Sequence, residues 1–176
     1  MKTKLIPLVV VFALAAWADA QTAPQPPMLA DRVRMIQANH ALLEELLDHG
    51  IRMSDTDTHL GRADECRKAM TAIGNELGRT VERPAADLDR LSELTDQLTQ
   101  LTVEGLVPTL DVARAQIRAG SPGADKLAKI ETQTGDDLQT LLTGLTIDPR
   151  LNRSEKLRTA LDRLRSTLPN VKPQAK

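Results

Sequence analysis

The sequence predicts an all-α protein, folded as an up-and-down bundle of about five amphipathic helices. After residue 20 the chain contains 24 leucines and no Phe, Trp or Tyr. Leucine favours helices, whereas strands are enriched in aromatic and β-branched side chains. Apolar residues recur every three to four positions, as on a helix with one buried face. The segments between these periodic runs are short, so consecutive helices should lie antiparallel.

The first twenty residues have the pattern of a secretion signal. Lys2 and Lys4 precede an almost wholly apolar run over residues 5–17, and small residues follow at the positions that signal peptidase recognises. The run is shorter than the roughly 20 apolar residues that a membrane-spanning helix needs. We therefore expect residues 1–20 to be a signal peptide cleaved after Ala20, which makes the protein periplasmic or secreted. An uncleaved N-terminal anchor is the alternative.

Proline and leucine set the remaining domain boundaries. Residues 21–27 contain three prolines and predict a short extended linker. The apolar periodicity then continues to residue 168, which predicts a single helical-bundle domain over residues 28–168. We expect residues 169–176 to be a disordered tail.

A heptad-like apolar seam defines the first helix, which should begin near Met28. Met35, Leu42 and Leu46 widen the apolar face, so this helix should pack against more than one neighbour. Gly50 weakens the helix towards its end. The seam consists of Leu29, Val33, Ile36, His40, Leu43 and Leu47.

The second helix is predicted over residues 60–81, with Thr58 as its N-cap. Cys66 lies on the apolar face of this helix, and it is the only cysteine of the chain, so an internal disulfide is excluded. A buried cysteine behaves as a small apolar side chain, and we expect a packed structural thiol. A dimer-linking or reactive thiol is the alternative. Gly74 and Gly78 allow either a close helix approach or a local weakness.

Leucine spacing and proline position define the other three helices. The third is predicted as one helix over residues 86–118, kinked at Pro108, with two shorter helices as the alternative. Ser121 followed by Pro122 predicts the start of the fourth helix, which Gly144 and Pro149 should close. Ser154 should cap the fifth helix, which is predicted over residues 154–168.

Charge is divided unevenly along the chain. Residues 21–148 carry 13 basic and 21 acidic side chains, whereas residues 149–176 carry 8 basic and 2 acidic ones. A basic helix with a leucine face is suited to an anionic membrane surface or an acidic partner. The alternative, which we favour, is that its leucines dock into the bundle while its cations stay solvated near an acidic body. The cations of this basic surface helix are Arg150, Arg153, Lys156, Arg158, Arg163 and Arg165.

The first helix also carries a candidate metal site. His40 lies in the apolar seam, Glu44 follows one turn later, and His49 is close by. Carboxylates and histidines on bundle helices hold metals in several protein classes, although the di-metal pattern uses Glu-x-x-His pairs on two helices, which are missing here. A histidine at the edge of the core, hydrogen-bonded to a neighbour, is the alternative.

Motifs for other chemistry are missing. Asp55, Asp57 and His59 alternate as in a calcium loop, but Leu60 and Cys66 stand where the loop needs glycine and glutamate. No nucleophile elbow, phosphate-binding glycine loop or His-Glu-x-x-His motif occurs, so we expect no enzymatic activity and no cofactor. Nucleic acid is not an expected partner, because the chain is acidic, has an export signal and lacks aromatic side chains for base stacking.

In size and predicted export, the chain resembles the small helical periplasmic chaperones and metal-stress proteins of bacteria. Those proteins carry a Leu-Thr-x-x-Gln motif. Similar segments begin here at Leu94 and Leu98, but Leu98 and Thr102 stand where the motif has glutamine. The resemblance concerns architecture and implies no site residue.

These observations favour an exported, non-enzymatic helical bundle that acts through protein–protein contact. Its partner would be a protein of the cell envelope or a second copy of the chain. Peripheral contact of the last helix with a membrane is a less favoured possibility. Two alternatives stay open at this point: a metal- or small-ligand-binding bundle that uses His40 and its neighbours, and a periplasmic holdase-type chaperone.

Overall fold

The computed structural model describes residues 27–83, 87–149 and 151–172. The predicted signal peptide, all of the predicted linker except Pro27, and residues 173–176 of the predicted tail lie outside these ranges. Contacts divide the chain into two units, Met1–Ala38 and Asn39–Lys176. The division falls within the first helix, and the second unit holds the bundle described below.

Every regular element of the described chain is helical, which confirms the all-α prediction. Counting α3, the π-helical turn and α4 as one rod gives the five helices expected. The elements are α1 (Pro27–Asp55), α2 (His59–Glu82), α3 (Leu88–Gln100), a π-helical turn (Leu101–Leu106), α4 (Val107–Gln116), α5 (Pro122–Ile147), a 3-10 turn (Leu151–Arg153) and α6 (Glu155–Val171).

Side-chain caps begin three of the helices where the sequence predicts them. Thr58 Oγ1 accepts a hydrogen bond from the backbone N–H of Gly61 at 3.1 Å. Ser121 caps α5 and Ser154 caps α6 in the same way. Each cap satisfies a backbone donor that would otherwise lack a partner in the first turn. These predictions are confirmed because capping depends on residues within one turn of each other.

The rod of α3, the π-helical turn and α4 continues across Pro108. Its irregular part, the π-helical turn, lies just before the proline. The backbone N–H of Val107 bonds to the carbonyl of Thr102, which is the wider spacing of a π-helix. A proline ring clashes with the carbonyl four residues before it, here that of Glu104, and a wider turn relieves this clash. The rod therefore accommodates Pro108 without ending.

The bundle consists of two helical hairpins packed side by side. α3 lies along α6 with both chains running in the same direction, because Asp89 contacts Lys156 at 3.1 Å and Asp96 contacts Arg163 at 3.3 Å. α2 packs along α5 and against α3, and α5 packs against α6. The short connections thus make hairpins, while contacts between the hairpins join helices of the same direction.

The core between these helices is almost wholly aliphatic. Its largest side chains that are inaccessible to solvent come from α2, from the rod of α3 and α4, and from α5 and α6. Burying one such leucine contributes roughly 1.5–3 kcal/mol relative to leaving it exposed. They include Leu77, Leu91, Leu94, Leu98, Leu106, Leu110, Leu142, Leu157 and Leu164.

The last helix extends beyond the predicted boundary at residue 168. α6 includes Pro169 and ends at Val171, whose side chain is fully buried, so residues 169–171 do not belong to a disordered tail. Pro169 removes one backbone donor, but burial of Val171 and a bond from Lys172 N–H to the Leu168 carbonyl hold the last turn. The stabilisation from burying Val171 therefore exceeds the cost of Pro169 in the last turn of α6.

Candidate contact surface on helix α1

The second half of α1 packs on the bundle through one face. Leu42 is 7% exposed and belongs to the core, and Leu46 and Met53 are partly buried against it. In the sequence, Leu42 and Leu46 only widen the predicted seam. Leu43 and Leu47, which belong to the seam itself, are 54% and 64% exposed. The last two apolar positions of the seam therefore face solvent.

Three exposed apolar side chains form a row along α1. Leu43, Leu47 and Ile51 follow at four-residue spacing, which places them on one face over about 12 Å of helix axis. We call these three residues the α1 stripe. From residue 39 onwards, the other large exposed apolar side chains, Val103, Val112 and Ile147, lie on three different elements. Single exposed apolar residues are ordinary, whereas a row is typical of a contact surface.

Charged side chains border the α1 stripe. His40 Nδ1 lies 3.3 Å from Glu44 Oε2, and Asp48 Oδ2 lies 2.7 Å from Arg52 Nη2, all four side chains being more than half exposed. Glu44 and Asp48 each follow a stripe leucine by one residue, so both lie on the same side of the stripe. Arg52 follows Ile51 in the same way, so the edge carries these two carboxylates and one arginine, a net negative charge beside an apolar row.

The predicted metal site of His40, Glu44 and His49 does not form. His40 contacts Glu44, but His49 lies nine residues from His40, about 13 Å along the helix axis. Metal ligands must lie within about 2 Å of a shared ion, so the two histidines cannot coordinate the same one. Within the described ranges, no three His, Cys, Asp or Glu side chains are grouped to hold a metal ion.

His49 instead joins α1 to α2. Its Nδ1 lies 2.9 Å from Oε2 of Glu65, and each of the two side chains is only 12% exposed. Lys68 donates to Glu65 at 2.6 Å and contacts Asp64 at 3.1 Å, and Arg67 donates to Asp64 at 3.2 Å. The alternative of a histidine hydrogen-bonded at the core edge therefore describes His49. Helical spacing does not reveal Glu65 as the partner of His49, because Glu65 lies sixteen residues away on another helix.

This network shifts the ionisation of its members towards the charged forms. The hydrogen bond from Lys68 lowers the pKa of Glu65, and the contact with His49 lowers it further, against the opposing effect of burial. Burial opposes ionisation of Asp64 as well, but hydrogen bonds and charges from Lys68 and Arg67 outweigh it and lower that pKa. The same carboxylates, Glu65 foremost, raise the pKa of Lys68. Asp64, Glu65 and Lys68 are therefore charged at neutral pH, and Glu65 links this cluster on α2 to His49 of α1.

The basic surface helix packs its leucines into the core. Leu157, Leu164 and their neighbours on the same face are buried, so this apolar face is occupied. Lys156 and Arg163 contact acidic residues of α3, and Arg165 contacts Asp162 at 3.2 Å. Arg153 and Arg158 are exposed, and Arg150 lies outside the described residues. Lys156, Arg163 and Arg165 thus lie at the surface beside acidic residues, as in the favoured interpretation.

Cys66 is a packed thiol, as predicted. It is free and fully buried, and burial raises the pKa of its thiol to about 12. It packs against Gly105 in the π-helical turn, where an added Cβ would lie 3.1 Å from Sγ. A protonated, inaccessible thiol is a poor nucleophile.

A cavity of about 270 Å³ lies between α2 and α5. Met70, Leu98 and Leu141 form part of its apolar wall, and Arg67 and Asp137 contribute charge. Arg67 Nε is buried without a hydrogen-bond partner among the described residues. The volume is below the 300–1,000 Å³ of common ligand pockets, so only a small molecule or a few waters would fit.

Gly74 contributes to this cavity by leaving space, not by close packing. A Cβ at Gly74 would meet Leu141 only at 3.9 Å, and one at Gly78 would meet nothing within 4 Å. Of the two alternatives for these glycines, the close helix approach is therefore excluded. It occurs at Gly105, where the widened turn brings the rod against α2.

Comparison with known proteins finds no matching family model, curated protein or solved structure. In the part of the chain that the structure describes, no helix has the length and apolarity to cross a bilayer.

Proposed function

We propose that this protein is an exported, non-enzymatic helical bundle that acts by binding another protein through the α1 stripe. The observation that carries the proposal is the exposed row of Leu43, Leu47 and Ile51. Export to the periplasm or the cell exterior is proposed from the sequence of residues 1–20, with its apolar run and small residues before Gln21.

The exposed apolar surface provides binding energy. Burying one large aliphatic side chain contributes roughly 1.5–3 kcal/mol, and each member of the α1 stripe is about half exposed. Covering all three therefore contributes on the order of 2–4 kcal/mol. That is enough to anchor a larger interface but too little to form a tight complex alone, because association costs at least about 4 kcal/mol.

The stripe is also held in place before any partner binds. It lies on a regular helix, and the contact of His49 with Glu65 fixes the rotation of that helix on α2. A pre-ordered surface loses less conformational entropy on binding than a flexible one. Rigid presentation of an apolar row supports contact with a defined partner.

Photo-crosslinking in the intact cell envelope tests this proposal. A photo-reactive side chain replaces Leu47 in one protein and Ile147, which is 73% exposed and solitary, in a matched control. We expect a discrete crosslinked product from position 47 and none from position 147. Equal products from both positions, or none from position 47, would refute the proposal. Many different products that arise only when other proteins unfold would favour the holdase alternative.

A further inference from the structure

We propose that the partner presents a basic amphipathic helix to the α1 stripe. Its apolar side chains would lie on Leu43, Leu47 and Ile51, and its cations beside Glu44 and Asp48. This inference rests on the proposed function and names the chemistry of the partner. Shape and charge support it separately.

The shape of the surface fits a helix. The stripe is a straight row at four-residue spacing on the outside of a regular helix. A row of four-residue spacing packs at a crossing angle of about 20° against a helix whose apolar ridge has three-residue spacing. About 12 Å of axis corresponds to two turns, so the partner needs apolar side chains on two to three consecutive turns.

The charge of the surface indicates which charge the partner helix should carry. Glu44 is 70% exposed and Asp48 is 56% exposed, and both lie on the same edge of the stripe. Residues 39–55 carry four acidic side chains and one arginine. A partner with Lys or Arg beside its apolar row places opposite charges together, whereas an acidic helix places like charges together.

A second copy of this chain is a poorer occupant of the surface. Two-fold pairing of the stripe with antiparallel α1 helices sets two edges of net negative charge against each other, which is less favourable than contact with a basic helix. Self-association is therefore an outcome that contradicts the inference, and sedimentation of the protein alone detects it.

Binding of two matched model peptides tests the inference. Both are 18-residue helices with leucines at alternating three- and four-residue spacing, one flanked by lysines and the other by glutamates. Fluorescence anisotropy measures their affinity for the purified protein at low and high salt. Since each exposed ion pair changes affinity by a few fold, we expect about a tenfold preference for the lysine peptide at low salt. Salt should reduce this preference through screening.

Three variants locate the binding on α1. Glu44→Lys with Asp48→Lys should reverse the preference towards the glutamate peptide. Leu43→Ser with Leu47→Ser should weaken binding of both peptides, and Ile147→Ser should change neither. Circular dichroism confirms that each variant is folded.

Several results would overturn the inference. They are failure to bind the lysine peptide, equal affinity for both peptides, an unchanged preference after charge reversal, or a dimer that the Leu43 and Leu47 substitutions dissociate. If crosslinking from position 47 in the envelope persists in any of these cases, the proposed function stands and only the chemistry assigned to the partner fails.

Discussion

At the scale of single residues, the contact of His49 with Glu65 joins α1 to α2. The two side chains are sixteen residues apart, and each is 12% exposed. With this contact made, Leu42 faces the core and Leu43 faces outwards. The contact of His49 with Glu65 and the burial of Leu42 thus lie on one side of α1, and the α1 stripe lies on the other.

Replacing Glu65 with glutamine should lower stability in a pH-dependent way. Lys68 and His49 lower the pKa of Glu65 from its usual value of 4.5. A carboxylate with a lowered pKa stabilises the fold above its unfolded-state pKa, and this contribution is lost as pH falls through the folded-state pKa. We expect Glu65→Gln to cost on the order of 1 kcal/mol at pH 7 and almost nothing at pH 2, measured by urea unfolding.

The matched control for this prediction is Glu44→Gln. Glu44 also contacts a histidine but is 70% exposed, so its contribution at pH 7 should be within about 0.5 kcal/mol of zero. An equal loss of stability for Glu65→Gln at both pH values would contradict the assigned role of the charged network.

The sequence identifies both histidines of α1 as candidates but cannot assign their partners. His40 and Glu44 are one turn apart, so their contact follows from helix geometry alone. The contact of His49 with Glu65 depends on how α1 is rotated and shifted against α2, which helical spacing does not determine. For the same reason the sequence offers two apolar faces, one with Leu42 and one with Leu43, without choosing between them.

At the scale of elements, the π-helical turn is where two helices approach most closely at a glycine. A Cβ on Gly105 would lie 3.1 Å from Cys66 Sγ and 3.2 Å from Leu101 Cδ1. Cys66 is fully buried and has no room to retreat. The wider turn before Pro108 thus requires the smallest residue at its contact with α2.

Two alanine substitutions should have opposite effects on stability. Gly78→Ala places a methyl group in open space and should stabilise the protein by about 0.5–1 kcal/mol through helix propensity. Gly105→Ala should destabilise it by about 1 kcal/mol or more, because overpacking outweighs the same gain in propensity. Thermal and urea unfolding of the two variants measure the difference.

A stabilising effect of Gly105→Ala would show that the contact between the π-helical turn and α2 is looser than described here. A destabilising effect of Gly78→Ala would imply that Gly78 packs against another element. Either result would contradict the packing assigned to α2.

Predictions for the elements succeed where the cause is local. Thr58, Ser121 and Ser154 cap helices because each bonds to a backbone N–H three residues later. The π-helical turn is not predictable from leucine spacing. It depends on relief of the clash between the Pro108 ring and the carbonyl of Glu104 inside a packed helix. The extension of α6 to Val171 also depends on a tertiary effect, the burial of that side chain against the bundle.

At the scale of the whole molecule, aliphatic side chains form most of the core of the described bundle, and no Phe, Trp or Tyr takes part. The sequence predicts the hairpins from short connections, and α5 and α6 form one of them. It does not predict that α3 lies along α6 in the same direction, because that depends on which faces of the hairpins meet. The leucine content and periodicity fix the class of fold, while side-by-side packing of hairpins follows from tertiary contacts.

Ultraviolet absorbance tests the export prediction for the whole chain. Trp17 is the only tryptophan, no tyrosine is present, and Trp17 lies before the predicted cleavage site. The protein recovered from the envelope or medium should therefore show essentially no absorbance at 280 nm, with intact mass confirming an N-terminus at Gln21. Absorbance equivalent to one tryptophan per chain would show that residues 1–20 are retained.

The central claim is that the α1 stripe is covered by another protein in the cell, and cysteine labelling measures this most directly. Cys66 itself should not be labelled, because it is buried and the pKa of its thiol is about 12. The measurement compares the labelling rate of Leu47→Cys in the intact envelope with its rate in dilute purified protein, using Ile147→Cys as the reference. We predict slower labelling at position 47 in the envelope and an unchanged rate at position 147. Equal rates at position 47 in the two settings would contradict the claim.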